Sequence, residues 1–134
     1  MTDEPLIFAT THGEAHRVRA SAYGSEGTLL ESDEIEVVWI RKENEEVEPG
    51  WFEQETTDVI VVVEGGLRVE FEAEGAEDRV LGVGDVLILP PRTRCRAFRW
   101  PRAQGSPTTF VAVYRPLART PPGDRGTVSR SPST

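Results

Sequence analysis

Residues 58–71 read DVIVVVEGGLRVEF, and their pattern decides the fold class. Val59 to Val63 is an uninterrupted, β-branched apolar run, the composition of a strand buried on both faces. Glu64-Gly65-Gly66 turns the chain. Leu67, Val69, Phe71 and Ala73 then alternate with Arg68, Glu70 and Glu72, the period of a half-buried strand that pairs with the first as a hairpin.

The same texture extends outward. Toward the N-terminus, Ile35, Val37 and Trp39 alternate with Glu36 and Val38, and an acid-rich break from Glu43 closes at Pro49-Gly50. Toward the C-terminus, a turn over Gly75–Asp78 leads to a short strand at Val80-Leu81. A second turn at Gly82–Asp85 leads to Val86–Leu89, which stops at Pro90-Pro91. Cys95–Trp100 and Phe110–Tyr114 read as two more strands. No segment carries a long helical period. Many short strands separated by turn residues predict an all-β sandwich or barrel with little helix.

The chain has 134 residues, one domain by length. Residues 1–24 form a leader in which Leu6-Ile7-Phe8 could pair as an edge strand or with a second subunit. Residues 25–116 form the barrel. Residues 117–134, with Pro121-Pro122-Gly123 and little apolar surface, predict a disordered tail.

A net charge of -8 and a pI near 4.8 oppose non-specific binding to nucleic acid or anionic membranes, since both require a positive field. Cys95 is the single cysteine, so no internal disulfide forms. The N-terminus lacks a basic region followed by an apolar stretch, and no apolar run has the length of a membrane span. A soluble, cytoplasmic protein is expected. Lys42 is the lone lysine among 15 lysines and arginines, a bias that reads as codon composition rather than function.

The order strand, Glu-Gly-Gly turn, strand, Gly-Asp turn, strand, Pro-Pro resembles the conserved barrel of the cupin superfamily over roughly residues 35 to 115. The first cupin motif has a glycine, five residues, His-x-His, three or four residues, a glutamate, six residues and a glycine. Asp58 and Gly65 match its acid and final glycine in spacing. The histidine positions fall on Trp51 and Glu53, or on Phe52 and Gln54, depending on the register. The second motif opens at Gly84-Asp85 and runs to Pro90, which places its histidine at Cys95 and its asparagine at Arg99. Trp51-Phe52-Glu53-Gln54 also resembles a W-Y-D-Q-type segment that replaces His-x-His in a subgroup of small bacterial cupins.

The resemblance implies a jelly-roll barrel, a homodimer and an interior site lined by Trp51, Glu53, Asp58, Cys95 and Arg99. With no motif histidine, no metal and no cofactor are expected. Glu53, Asp58 and Cys95 are the only remaining donors for a metal-dependent enzyme, and imidazole is missing from that set. The expected function is binding of a small organic molecule. The alternative is a metal-independent cyclase, isomerase or lyase with Glu53 or Asp58 as general base and Arg99 stabilising an oxyanion. Because strand alternation gives Arg99 the parity of Cys95, an Arg99–Asp58 or Arg99–Glu53 pair would replace the cation electrostatically.

Other candidates carry less. His12 and His16 have helical metal-site spacing, but Gly13 breaks the HExxH pattern, and a surface pair is the ordinary reading. Arg92, Arg94, Arg96, Arg99 and Arg102 could recognise an anion, but in so acidic a chain cross-strand pairing with carboxylates is the simpler use. There is no GxSxG, no P-loop and no GxGxxG after a strand, and Cys95 has no identifiable histidine partner.

Overall fold

A computed structural model describes residues 5–10, 17–21, 23–44, 46–102 and 106–117. It contains nine strands: β1 Arg17–Ser21, β2 Gly24–Glu31, β3 Glu36–Lys42, β4 Asp58–Glu64, β5 Leu67–Phe71, β6 Arg79–Leu81, β7 Val86–Leu89, β8 Cys95–Arg99 and β9 Thr108–Tyr114. There is no helix among the described residues. All pairings are antiparallel. One sheet has the order β1-β2-β3-β9-β4-β7, and a smaller one the order β6-β5-β8. The two sheets face each other across the core, giving the all-β jelly roll that the strand pattern predicts.

The core is the inner face of both sheets. Ile60 and Val62 of β4, Leu89 of β7, and Phe110 and Ala112 of β9 meet Leu67 and Val69 of β5 and Cys95 of β8. Each fully buried aliphatic side chain here contributes about 1.5–3 kcal/mol. On β5 the alternation works as read. Leu67 and Val69 point inward, while Arg68 pairs with Asp78 at 2.7 Å and Glu70 with Arg96 at 2.8 Å outside.

Two expectations about residues 58–71 are corrected. β4 is not buried on both faces: Asp58, Ile60 and Val62 are buried, while Val59, Val61 and Val63 are half-buried. Nor do β4 and β5 form a hairpin. β4 pairs with β9 and β7, and β5 pairs with β6 and β8. The Glu64-Gly65-Gly66 turn instead carries the chain from one sheet to the other. Its glycines are required by close approach. A Cβ on Gly65, at φ 74°, would lie 2.5 Å from the Pro107 carbonyl oxygen, and one on Gly66 would lie 2.5 Å from that of Trp100.

β1 and β2 carry little sequence signal. RVRAS alternates over only five residues with a single large apolar side chain, and GSEGTLLE has neither alternation nor an apolar run beyond Leu29-Leu30. They form by backbone pairing outward from β3, with Gly27 opposite Trp39 and a bulge between Thr28 and Leu30. Leu6–Phe8 form no strand. Thr10 is held against β3 by Trp39, whose Nε1 donates to the Thr10 carbonyl at 2.7 Å. The tail from residue 118, and His12 and His16, lie outside the described residues.

Candidate functional site

The two sheets do not close completely. Between them lies a cavity of about 70 Å³. That is several times the ~10–15 Å³ that one water needs by the same kind of measure. Its apolar wall comes from Ile40, Ile60, Phe110 and Ala112 on the large sheet and from Val69 and Ala97 on the small one. Alanine at 97 and 112 leaves the space that larger side chains would fill. Its polar wall holds Asp58, Cys95, Lys42 and Glu48, with Tyr23 and Glu26 near the ends of β1 and β2.

The loop after Glu43 is fixed against β8 by a reciprocal bridge. Phe52 N–H donates to the Cys95 carbonyl at 2.7 Å, and Cys95 N–H donates to that of Phe52 at 2.9 Å. This settles the register of the first motif. Phe52 faces the cavity and Gln54 is buried. Trp51 and Glu53, which alternate with them, turn outward. Trp51 packs its ring against the Arg96 guanidinium at 4.4 Å, and Glu53 stands 3.6 Å from Arg94.

The five expected site residues therefore divide. Asp58, only 2% exposed, and Cys95 line the cavity. Trp51, Glu53 and Arg99 do not. Arg99 is buried as its parity requires, but its guanidinium serves the backbone. It donates to the carbonyls of Arg102 at 2.8 Å, Glu43 at 3.3 Å and Ser106 at 3.4 Å, so the expected pair with Asp58 or Glu53 does not form. β8 ends here, and the side chain is drawn to the unpaired carbonyls of the loops around it. Arg94 pairs with Glu72 at 2.7 Å outside the cavity, and Arg96, which borders the cavity, pairs with Glu70 at 2.8 Å.

The residues that sequence reasoning missed are Lys42 and Glu48. The Lys42 Nζ lies 3.5 Å from Glu48 Oε1 and 5.1 Å from the centre of the Tyr23 ring. Lys42 is 6% exposed and so is Glu48. Burial pushes the Lys42 ammonium below the usual lysine range, and Glu48 partly restores it. Burial raises the Tyr23 phenol, with Glu48 and Glu46 adding to the effect. The Cys95 thiol is pushed up to about 12, first by burial and then by Asp58 and Glu48. A signal for Lys42 was present in the sequence, since it is the one lysine and it closes an apolar strand.

At the motif's histidine positions stand Phe52 and Cys95, which line the cavity, and Gln54, which is buried outside its lining. The remaining donors do not fit a metal centre. Of the three donors Glu53, Asp58 and Cys95, Glu53 lies outside the cavity, and burial with the nearby Asp58 and Glu48 opposes ionisation of the Cys95 thiol. Among the described residues no group of three or more His, Cys, Asp or Glu side chains converges.

The chain is thus a two-sheet antiparallel barrel with an interior cavity, and no histidine is among the described residues that line it. No family model matches it, and no curated protein does. Solved structures do. A conserved protein of uncharacterised function with a double-stranded β-helix domain, from Klebsiella pneumoniae, superposes with a TM-score of 0.65 at 22% identity. That match covers 84% of this chain and 91% of the other. An RmlC-like cupin from Shewanella frigidimarina gives 0.61 at 20%, covering 79% and 88%. A putative mannose-6-phosphate isomerase from Ralstonia eutropha gives 0.58 at 27%, covering 74% and 91%. The fold is the double-stranded β-helix of the cupin superfamily.

Proposed function

We propose that this chain is a cupin-fold protein that binds a small organic molecule inside its barrel without a histidine-held metal. The observation that carries the proposal is the cavity itself: an apolar chamber between the sheets into which Lys42, Glu48, Asp58 and Cys95 project. A concave, mostly apolar wall with a few convergent polar groups is the usual construction of a small-molecule site. Buried ionisable groups are costly, and Lys42 and Glu48 are kept together here where an apolar pair would fill the space.

The test is thermal unfolding in the presence of short-chain, uncharged organic compounds. A ligand that binds only the folded state raises the midpoint by mass action. Such compounds stabilise the wild type, while Ala97→Leu, which fills the cavity from β8, removes the effect. Equal stabilisation of the variant would refute the site.

A metal-independent enzyme on the same cavity is the second reading, favoured by the placement of Asp58 and the Lys42–Glu48 pair in its wall. In that reading Asp58 is the base, because Glu53 does not reach the cavity, and the oxyanion role expected of Arg99 lapses because Arg99 does not reach it either. Asp58→Asn would then abolish turnover while leaving ligand binding in place.

A further inference from the structure

We infer that Lys42 is a covalent binding site for a small uncharged carbonyl compound, an aldehyde or ketone, which it holds as an imine inside the barrel. The inference rests on the small-molecule reading of the cavity and adds the class of ligand. Lys42 ends β3 with its amino group in the cavity wall, 3.5 Å from Glu48 Oε1. It is the chain's only lysine, at a position where arginine is the common cation of this sequence. The two differ in one chemical respect that matters here. A lysine amine can lose its proton and act as a nucleophile, and a guanidinium cannot. Withdrawal from water favours that loss.

The step balances with the groups in place. The ammonium passes a proton to Glu48, and the freed nitrogen lone pair forms a bond to the carbonyl carbon. The carbonyl oxygen then collects two protons from the original ammonium and leaves as water, breaking its bond to carbon. The protonated imine that remains keeps the single positive charge, so Glu48 is never left buried without a partner. No oxidant or reductant is consumed.

Charge selects the ligand. Glu48 and Asp58 line the cavity, with Glu26 at its edge paired to Arg19. Its two arginines are also paired, Arg96 to Glu70 and Arg41 to Glu43 and Glu64, so no uncommitted cation is there to receive an anion among the described residues. A 2-oxo acid would bring a carboxylate against these acids. An aldehyde or ketone with a short apolar chain brings none, and its chain meets Ile60, Val69 and Phe110.

The experiment treats the full wild-type chain at pH 7 with butanal and cyanoborohydride, which reduces an imine to a stable alkylamine, and locates the added butyl group by peptide mass. The chain's α-amino group is an internal standard. With ordinary pKa values it has on the order of 100-fold more free amine at pH 7 than a lysine. Lys42 in the native chain is alkylated at least as fast as the α-amino group, and in urea it falls about 100-fold behind. Alkylation confined to the α-amino group in the native chain overturns the proposal. Glyoxylate, an anionic aldehyde, in place of butanal lowers the ratio of Lys42 to α-amino alkylation, and a higher ratio overturns the preference for an uncharged ligand. Butanol enters but cannot condense. If butanol stabilises the chain and butanal leaves Lys42 unmodified, the imine fails and the cavity reading stands. If neither compound binds, both fail.

Discussion

Lys42 and Glu48 form a buried ion pair, 3.5 Å apart, that joins the end of β3 to the acid-rich loop and forms part of the cavity wall. Removing one partner leaves the other as an uncompensated buried charge. Glu48→Gln and Lys42→Met each destabilise the fold by about 3 kcal/mol, whereas the double variant Lys42→Met, Glu48→Met is near neutral. Urea unfolding of the four proteins measures the coupling. Additive losses would show that the two charges are independently solvated.

Cys95 has a distinct signature in alkali. Its folded pKa, about 12, exceeds the reference value of 9.0, so the folded state keeps a proton that the unfolded state releases. Its stabilisation is complete below pH 9 and is lost as pH rises through about 12. The slope approaches about 1.4 kcal/mol per pH unit in that window. Lys42 acts with the opposite sign, because its folded pKa is lowered and stability rises with pH until the unfolded lysine also deprotonates. Comparing wild type with Cys95→Ala between pH 8 and 11 isolates the cysteine, and the variant shows the shallower alkaline decline. Iodoacetamide at pH 8 leaves native Cys95 unmodified and labels it in urea.

Arg99 is a clamp for backbone rather than a ligand group. Its guanidinium holds the carbonyls of Glu43, Arg102 and Ser106. Arg99→Met costs about 2–3 kcal/mol in unfolding free energy, because charge-assisted bonds are lost and carbonyls are left to find water. Binding of a cavity ligand, measured per folded molecule, stays within about twofold of wild type. A selective loss of binding with unchanged stability would return Arg99 to the site.

The sheet-to-sheet crossing at Gly65 tolerates no side chain. Gly65→Ala costs about 1–3 kcal/mol from the left-handed backbone alone, and contact with the Pro107 carbonyl adds to it. Thermal unfolding checks this. An alanine variant as stable as wild type would mean that the chain does not cross at this point.

The strands with strong local patterns were legible. β3 to β9 follow apolar runs, alternation and Gly or Pro punctuation, and the Gly84–Pro90 spacing pointed to the cupin fold. What local patterns cannot carry is partnership. A strand, a Gly-Gly turn and a strand read as a hairpin, but the pairing is decided by which sheet each strand completes, and β9 and β8 claimed β4 and β5. β1 and β2 were not read because backbone pairing, β2 with β3 and β1 with β2, defines them rather than side-chain burial. The site was half legible. Motif spacing found Asp58 and Cys95. It left the register open between Trp51–Glu53 and Phe52–Gln54, and only the bridge between Phe52 and Cys95 resolves a one-residue slip that reverses every side chain. Lys42 went unread because a lone lysine was weighed as composition, when its place at the inner end of a strand was the informative fact.

The central claim is that the space between the sheets is where this protein meets its ligand. Methyl-detected NMR during titration with a short-chain uncharged compound such as butanol tests it most directly. The account predicts saturable shifts at Ile60, Val69 and Ala97, with the exposed methyls of Val80, Val83 and Ile88 unmoved. Shifts confined to those exposed residues, or none at all, would contradict it.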